Sequence, residues 1–294
     1  MRVSDKFTRL TDRIRAVYPR LDIHSAELNE SGQNNDILLV NGGMIFRFPR
    51  YPAALASMHV EAAVLETIQG RVPLPTPKPI FLSLDGRAGG EAFMGYTRLS
   101  GVPLLRDEFA AIKNPAVIER IAHQLAGFLQ SLHSTPLDHV RAKLPHHDTR
   151  AQCMHIYHRI REKLFSHMRP DARQWAEDHY ESFLSESANF DSQPVLKHGD
   201  FGTTNILFDQ QRQTISGVID FGSTAVGDPA YDFAGLLSSF GENFLVQCAH
   251  TYPELDRSLA RVRFYQGTFA LLEALFGVEH NDQSAFDAGI ENYV

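Results

Sequence analysis

The amino-acid sequence predicts an α+β protein in two parts, a small β-rich one followed by a larger, mostly helical one. The first hundred residues carry five short apolar runs of strand length. After Gly101 apolar residues recur mainly at helical spacing. Short strand-like runs reappear between residues 195 and 219. A run of strands followed by a run of helices is an α+β pattern.

Residues 4–18 form an amphipathic helix, with Phe7, Leu10, Ile14 and Val17 on one face. Strand-like runs follow at 23–28, 37–40 and 44–48. Gly42-Gly43 lies between the last two, which reads as a hairpin turn, and Pro49 and Pro52 end the hairpin. Residues 54–68 are helical by pattern, and Pro73, Pro75, Pro77 and Pro79 then break regular structure. Two more strands fit 80–84 and 92–99. Residues 117–133 make a strong amphipathic helix through Ile118, Ile121, Leu125, Phe128 and Leu132. Helices at 148–168 and 171–187 are separated by Pro170. Short strands fit 195–197, 206–208 and 215–219, and the last seventy residues are mostly helical.

Composition narrows the function. The chain has 294 residues, 43% of them hydrophobic, enough for a sizeable core. A net charge of −7 argues against nucleic acid as the main partner, because phosphate backbones require basic surfaces. It suits a cationic small ligand. Cys153 and Cys248 make no disulfide framework. The first residues lack the apolar core of a signal peptide, and no apolar run reaches the length of a membrane span. The expectation is a cytoplasmic monomer with no membrane partner.

The chemistry concentrates in residues 197–232. His198-Gly199-Asp200 is followed five positions later by Asn205, and Asp220-Phe221-Gly222 begins fifteen positions beyond that. Phosphoryl transfer requires a carboxylate near the attacking hydroxyl and hard oxygen ligands for Mg²⁺. Asp200 can take or orient the hydroxyl proton, and Asn205 and Asp220 can offer metal oxygens. A hairpin over 206–219 returns Asp220 toward Asn205.

These motifs resemble those of the kinase-like phosphotransferases. The likeness is to the aminoglycoside phosphotransferase family and, within it, to the 2″-phosphotransferase branch. It extends to the hairpin ending Met44-Ile45-Phe46-Arg47-Phe48-Pro49, to the segment 93–101, and to Gly227-Asp228-Pro229-Ala230-Tyr231-Asp232. It implies a bilobal protein-kinase-like fold, with a nucleotide-binding lobe at 1–99, a hinge at 93–101 and a catalytic, substrate-binding lobe at 102–294. It implies ATP or GTP as donor, Mg²⁺ as cofactor and an aminoglycoside as acceptor, hence antibiotic resistance by O-phosphorylation. Asp200 matches the catalytic aspartate, and Asn205 and Asp220 match the Mg²⁺ ligands. Arg47 falls where a basic residue holds the nucleotide phosphates, with Arg50 its nearby rival, and Glu61 falls where that base finds its ion-pair partner. Thr97 and Leu99 fall where hinge backbone groups meet the purine edge.

The chain departs from the protein-kinase pattern in three places. Arg47 stands where kinases usually carry Lys. The G-x-G-x-x-G loop is replaced by the polar run 30–36, in which Ser31 is the candidate phosphate contact. Only four residues separate Gly222 from Gly227, too few for a peptide-docking activation segment, so the acceptor is a small molecule. A polycationic acceptor calls for further carboxylates, and Glu242 and Glu273 are the candidates. A macrolide, a sugar, homoserine or a choline-like alcohol is the alternative acceptor, and a nucleotide-binding pseudokinase the alternative class. Asp228 and Asp232 read as structural carboxylates at the start of the next helix. His198 reads as a structural hydrogen-bonding residue. Cys153, His155 and His158 fall within six residues but lack a fourth zinc ligand at matching spacing.

Overall fold

Period-two alternation builds the first sheet. In the strand Asn35–Val40 every second residue, Asp36, Leu38 and Val40, is buried. The computed structural model describes residues 3–30, 34–85, 90–138, 144 and 149–294. Its chain divides into two compact units: Met1–Leu104 with Asp138–Leu144 and Thr204–Thr224, and Leu105–Leu137 with Pro145–Thr203 and Ala225–Val294.

The first unit opens with α1 (Val3–Val17), β1 (Ala26–Asn29), β2 (Asn35–Val40), β3 (Met44–Pro49), α2 (Pro52–Ile68), β4 (Phe81–Ser83) and β5 (Phe93–Thr97). The five strands form one antiparallel sheet in the order β1-β2-β3-β5-β4. Leu10 and Ile14 of α1 pack on its face against Leu38, Val40, Phe46, Phe48 and Phe93, all fully buried. Each such side chain contributes roughly 1.5–3 kcal/mol through burial. Phe46 lies opposite Gly95, where an added Cβ would stand 2.7 Å from the Phe46 ring, so only glycine fits. Arg47, between Phe46 and Phe48, points to the other face.

The hairpin turn differs in detail from expectation. The left-handed residues are Asn41 and Gly42, with φ of 52° and 67°. The Asn41 side chain accepts from the N–H groups of His24 and Ser25 and donates to the Asp22 carbonyl. Residues 22–25 are thereby held by a side chain, so the strand expected at 23 begins at Ala26. Pro52 and Pro170 each start a helix, since the missing N–H is harmless in a first turn.

A three-stranded sheet, β6-β8-β9, completes the first unit through β6 (Val102–Pro103), β8 (Ile206–Asp209) and β9 (Thr214–Val218). The second unit pairs β7 (Val195–Lys197) with β10 (Ala225–Gly227). Its helices are α3 (Arg106–Ala111), α4 (Pro115–His133), α5 (Thr149–Lys163), α6 (Pro170–Ser185), α7 (Ala230–Phe240), α8 (Glu242–Ala249), α9 (Leu259–His280) and α10 (Gln283–Ile290). The apolar stripe of α4 runs through Ile121, Leu125, Phe128 and Leu132, all fully buried. Among the described residues no helix is long and apolar enough to cross a membrane.

Candidate active site

In the second unit, β7 delivers the chain into His198-Gly199-Asp200. Gly199 takes a φ of 83°, open to glycine at no steric cost, and turns the chain so that Asp200 is exposed while His198 is fully buried. The Asp200 N–H donates to His198 Nδ1 at 3.2 Å. That nitrogen therefore carries a lone pair, and His198 acts as a loop-shaping acceptor.

The loop is braced by a buried carboxylate. Asp232, in the first turn of α7, accepts the N–H of His198 at Oδ2 and that of Gly199 at Oδ1, each at 2.8 Å. His133, at the end of α4, meets Asp232 Oδ2 at 3.0 Å and the Tyr252 hydroxyl at 3.1 Å. Burial alone would raise the Asp232 carboxyl, but the His133 hydrogen bond and the nearby His133, His198 and Lys197 hold it below its ordinary value. Asp232 thus ties the helix to the loop, rather than only starting the helix. Asp228 does cap: its Oδ1 accepts the Ala230 N–H at 3.0 Å, and Arg261 and Tyr265 hold the same carboxylate. Nothing in the sequence singled out His133, because its partners lie 99 and 119 residues away.

In the first unit, four of the predicted residues come together. Arg47 Nη1 donates to Glu61 Oε1 at 2.6 Å, and Arg47 Nη2 reaches Asp220 Oδ1 at 3.3 Å. Glu61 Oε1 also accepts the Phe221 N–H at 3.3 Å. Glu61 is 1% exposed and Arg47 8%. Burial pushes the Glu61 carboxyl up and Arg47 pulls it back. Tyr96, buried beside them, is pushed up to about 12 by the same desolvation. Asp220 adopts a left-handed backbone, φ 62°, and stays half exposed. Ile219 N–H donates to the Asn205 carbonyl at 2.9 Å, and Ile206 pairs with Val218, so the β8–β9 hairpin sets Asn205 beside Asp220.

Arg50 does not share this cluster. It bonds Asp36 at 2.8 Å and the Glu30 carbonyl, anchoring the start of the first hairpin, and Lys6 grips Asp36 from α1. Ser31 lies outside the described residues. Thr97 is exposed at the end of β5, and the Arg98 N–H donates to the Gly43 carbonyl. The main-chain groups of Leu99 make no hydrogen bond among the described residues.

The donor set suits Mg²⁺. Asp220 and Asn205 offer hard oxygens, and among the described residues no group of three or more His, Cys, Asp or Glu could hold a metal. Mg²⁺ usually binds through one or two carboxylates and substrate phosphates, so a two-residue set fits a metal that arrives with a nucleotide. The Cys153, His155 and His158 cluster does not converge: Cys153 is buried and both histidines are exposed.

Glu242 starts α8 and pairs with Arg263 at 2.9 Å, both exposed. Glu273 is exposed on α9.

Residues 25–265 match the model of the phosphotransferase enzyme family. The chain belongs to that family. Family members share its two-part build, a β-sheet region followed by a mostly helical one, and the chain is a small-molecule kinase of this kind. It is 29% identical to viomycin phosphotransferase from Streptomyces vinaceus over 267 residues, 87% of this chain and 88% of that one. It superposes on the GDP and kanamycin complex of APH(2″)-IIIa with a TM-score of 0.89 at 27% identity, covering 97% and 96% of the two chains. A macrolide 2′-phosphotransferase of type I shares the fold, with a TM-score of 0.77 at 22% identity over 100% and 98% of the chains.

Proposed function

We propose that this family member transfers the γ-phosphoryl group of ATP or GTP to a hydroxyl of a small molecule, an aminoglycoside foremost. The observation that carries this is the exposed Asp200, presented on a loop whose preceding two amides are locked by buried Asp232. Asp200 orients the acceptor hydroxyl and takes its proton. Arg47, aligned by Glu61, stabilises charge on the nucleotide phosphates. Asn205 and Asp220 would hold Mg²⁺, which supplies charge neutralisation on those phosphates when bound. The purine edge meets main-chain groups of Thr97 and Leu99, and Ser31 contacts phosphate.

The acceptor is small because β10 follows the Phe221–Ser223 turn almost at once and pairs with β7. That leaves no segment for a peptide platform. Glu242 and Glu273 are proposed to receive acceptor ammonium groups. An exposed pair such as Glu242–Arg263 contributes only about 0–1 kcal/mol, so a polycation can displace the arginine.

Nucleoside diphosphate release tests this with kanamycin, viomycin, a macrolide, homoserine and choline as acceptors, run in parallel with ATP and GTP. Turnover with kanamycin is expected. Turnover confined to another acceptor reassigns the substrate. Nucleotide binding without transfer to any acceptor supports a pseudokinase.

A further inference from the structure

The second unit contains a recessed cavity of about 100 Å³ to which the proposed reaction gives no role. Tyr180, Tyr231, Phe264 and Tyr265 wall it, and Lys197 enters it from β7. Lys197 leads straight into His198-Gly199-Asp200, three residues before the carboxylate assigned to the acceptor hydroxyl. Tyr231, on the cavity wall, lies within electrostatic reach of Asp200.

The polar groups of the cavity are unbalanced. Lys197 Nζ sits 4.1 Å from the centre of the Tyr231 ring and forms no ion pair among the described residues. Burial pulls the Lys197 ammonium below its ordinary value, with Asp232 and Asp228 acting in the other direction. The one carboxylate among the cavity's lining residues, Asp228, is already held by Arg261 at 2.8 Å, by Tyr265 at 3.2 Å and by the Ala230 N–H. Tyr180 is 1% exposed, and its hydroxyl has no hydrogen-bond partner among the described residues. Tyr157 stacks on its ring at 5.0 Å and limits its freedom to turn elsewhere. A buried hydroxyl without a partner is uncommon in a folded protein, and this one belongs to a residue of the cavity wall.

A cation without an ion pair and a hydroxyl without a partner among the described residues, both on residues that line the cavity, define the ligand. An ammonium would meet Lys197 as a like charge. An oxyanion would accept from both groups and gain charge-assisted hydrogen bonds. A void of this size accommodates a group of several heavy atoms. We propose that the cavity is an oxyanion subsite, which takes a carboxylate or phosphate group between Lys197 Nζ and the Tyr180 hydroxyl. Its place beside the acceptor rests on the assignment of Asp200. Its affinity for an anion does not.

The test measures thermal unfolding and binding with acetate and with inorganic phosphate, against chloride at equal ionic strength. It uses the full chain as wild type, Lys197→Met, Tyr180→Phe and Asp200→Asn. Met keeps the apolar stem over Tyr231 and removes the charge. Acetate or phosphate is expected to raise the melting temperature of wild type and Asp200→Asn. Lys197→Met should lose the response, and Tyr180→Phe should bind several-fold more weakly. Response to acetate alone identifies a carboxylate ligand, and response to phosphate alone a phosphoryl group. Competition with the acceptor in turnover assigns the group to the acceptor, and its absence assigns it to a free anion. An equal response in Lys197→Met overturns the proposal by placing the anion elsewhere, for example at Arg47. No response in wild type also overturns it. If Lys197→Met does not fold, unchanged affinity in Tyr180→Phe does the same. Retained anion binding in an inactive Asp200→Asn separates this subsite from the catalytic assignment.

Discussion

Arg47 and Glu61 are a pair of opposite charges with almost no access to water, and that makes them sensitive to single substitutions. Removing one partner of a buried pair strands the other charge and costs about 3–5 kcal/mol. Arg47→Met is expected to destabilise the fold by that order in denaturant unfolding. Replacing both residues by apolar ones of similar volume removes the stranded charge, so Arg47→Met with Glu61→Leu should recover most of the stability. The double variant should still bind nucleotide poorly, because the cation proposed to face the phosphates is gone. Recovery of nucleotide affinity along with stability would show that Arg47 serves the fold alone. Both residues were legible in the sequence, Arg47 from its strand and Glu61 from the following helix. Asp232 was legible as structural, but its partners were not. Its hydrogen bonds to His198 and Gly199 span 34 and 33 residues, and no local pattern encodes such a pairing.

Elements in the second unit are joined by contacts that answer to pH and to backbone spacing. Glu279 on α9 binds Arg159 and Lys163 of α5. The hydrogen bond to Arg159 is the main reason its carboxyl sits at about 2 rather than 4.5. The folded value lies below the unfolded one. The stabilisation is therefore complete above about pH 4.5 and is lost as the pH falls toward 2. Glu279→Gln should flatten the fall of melting temperature across that window, while a steepened fall would contradict the assignment. Helix α7 approaches, at Gly235, the loop that presents Asp200, and an added Cβ there would stand 2.4 Å from the Phe201 carbonyl oxygen. Gly235→Ala should cost about 1–3 kcal/mol by overpacking and lower kcat by shifting the loop. A variant with wild-type kcat and stability would show that the loop yields freely. Long amphipathic elements such as α4 were readable because many residues vote for one period. β6 and β10 were not, since two or three residues carry no period at all. The start of β1 was misplaced because the side chain of Asn41 holds residues 22–25.

At the scale of the molecule, sequence spacing and family membership agree on phosphoryl transfer. The motif residues lie in two compact units, Asp200 in one and Arg47, Glu61, Asn205 and Asp220 in the other. The short path from the Phe221–Ser223 turn into β10 was visible as a spacing, and its cause in β7–β10 pairing required the structure. Acceptor identity was least legible, because exposed carboxylates such as Glu273 look the same in sequence whether they bind a ligand or water. In the proposed function, Asp200 performs the transfer while other residues bind the nucleotide. The most direct test of this is steady-state transfer by wild type and Asp200→Asn with Mg²⁺, alongside nucleotide binding to both. Turnover should fall by about 10²–10⁴-fold in Asp200→Asn, with nucleotide affinity unchanged. Turnover within a few-fold of wild type would contradict it.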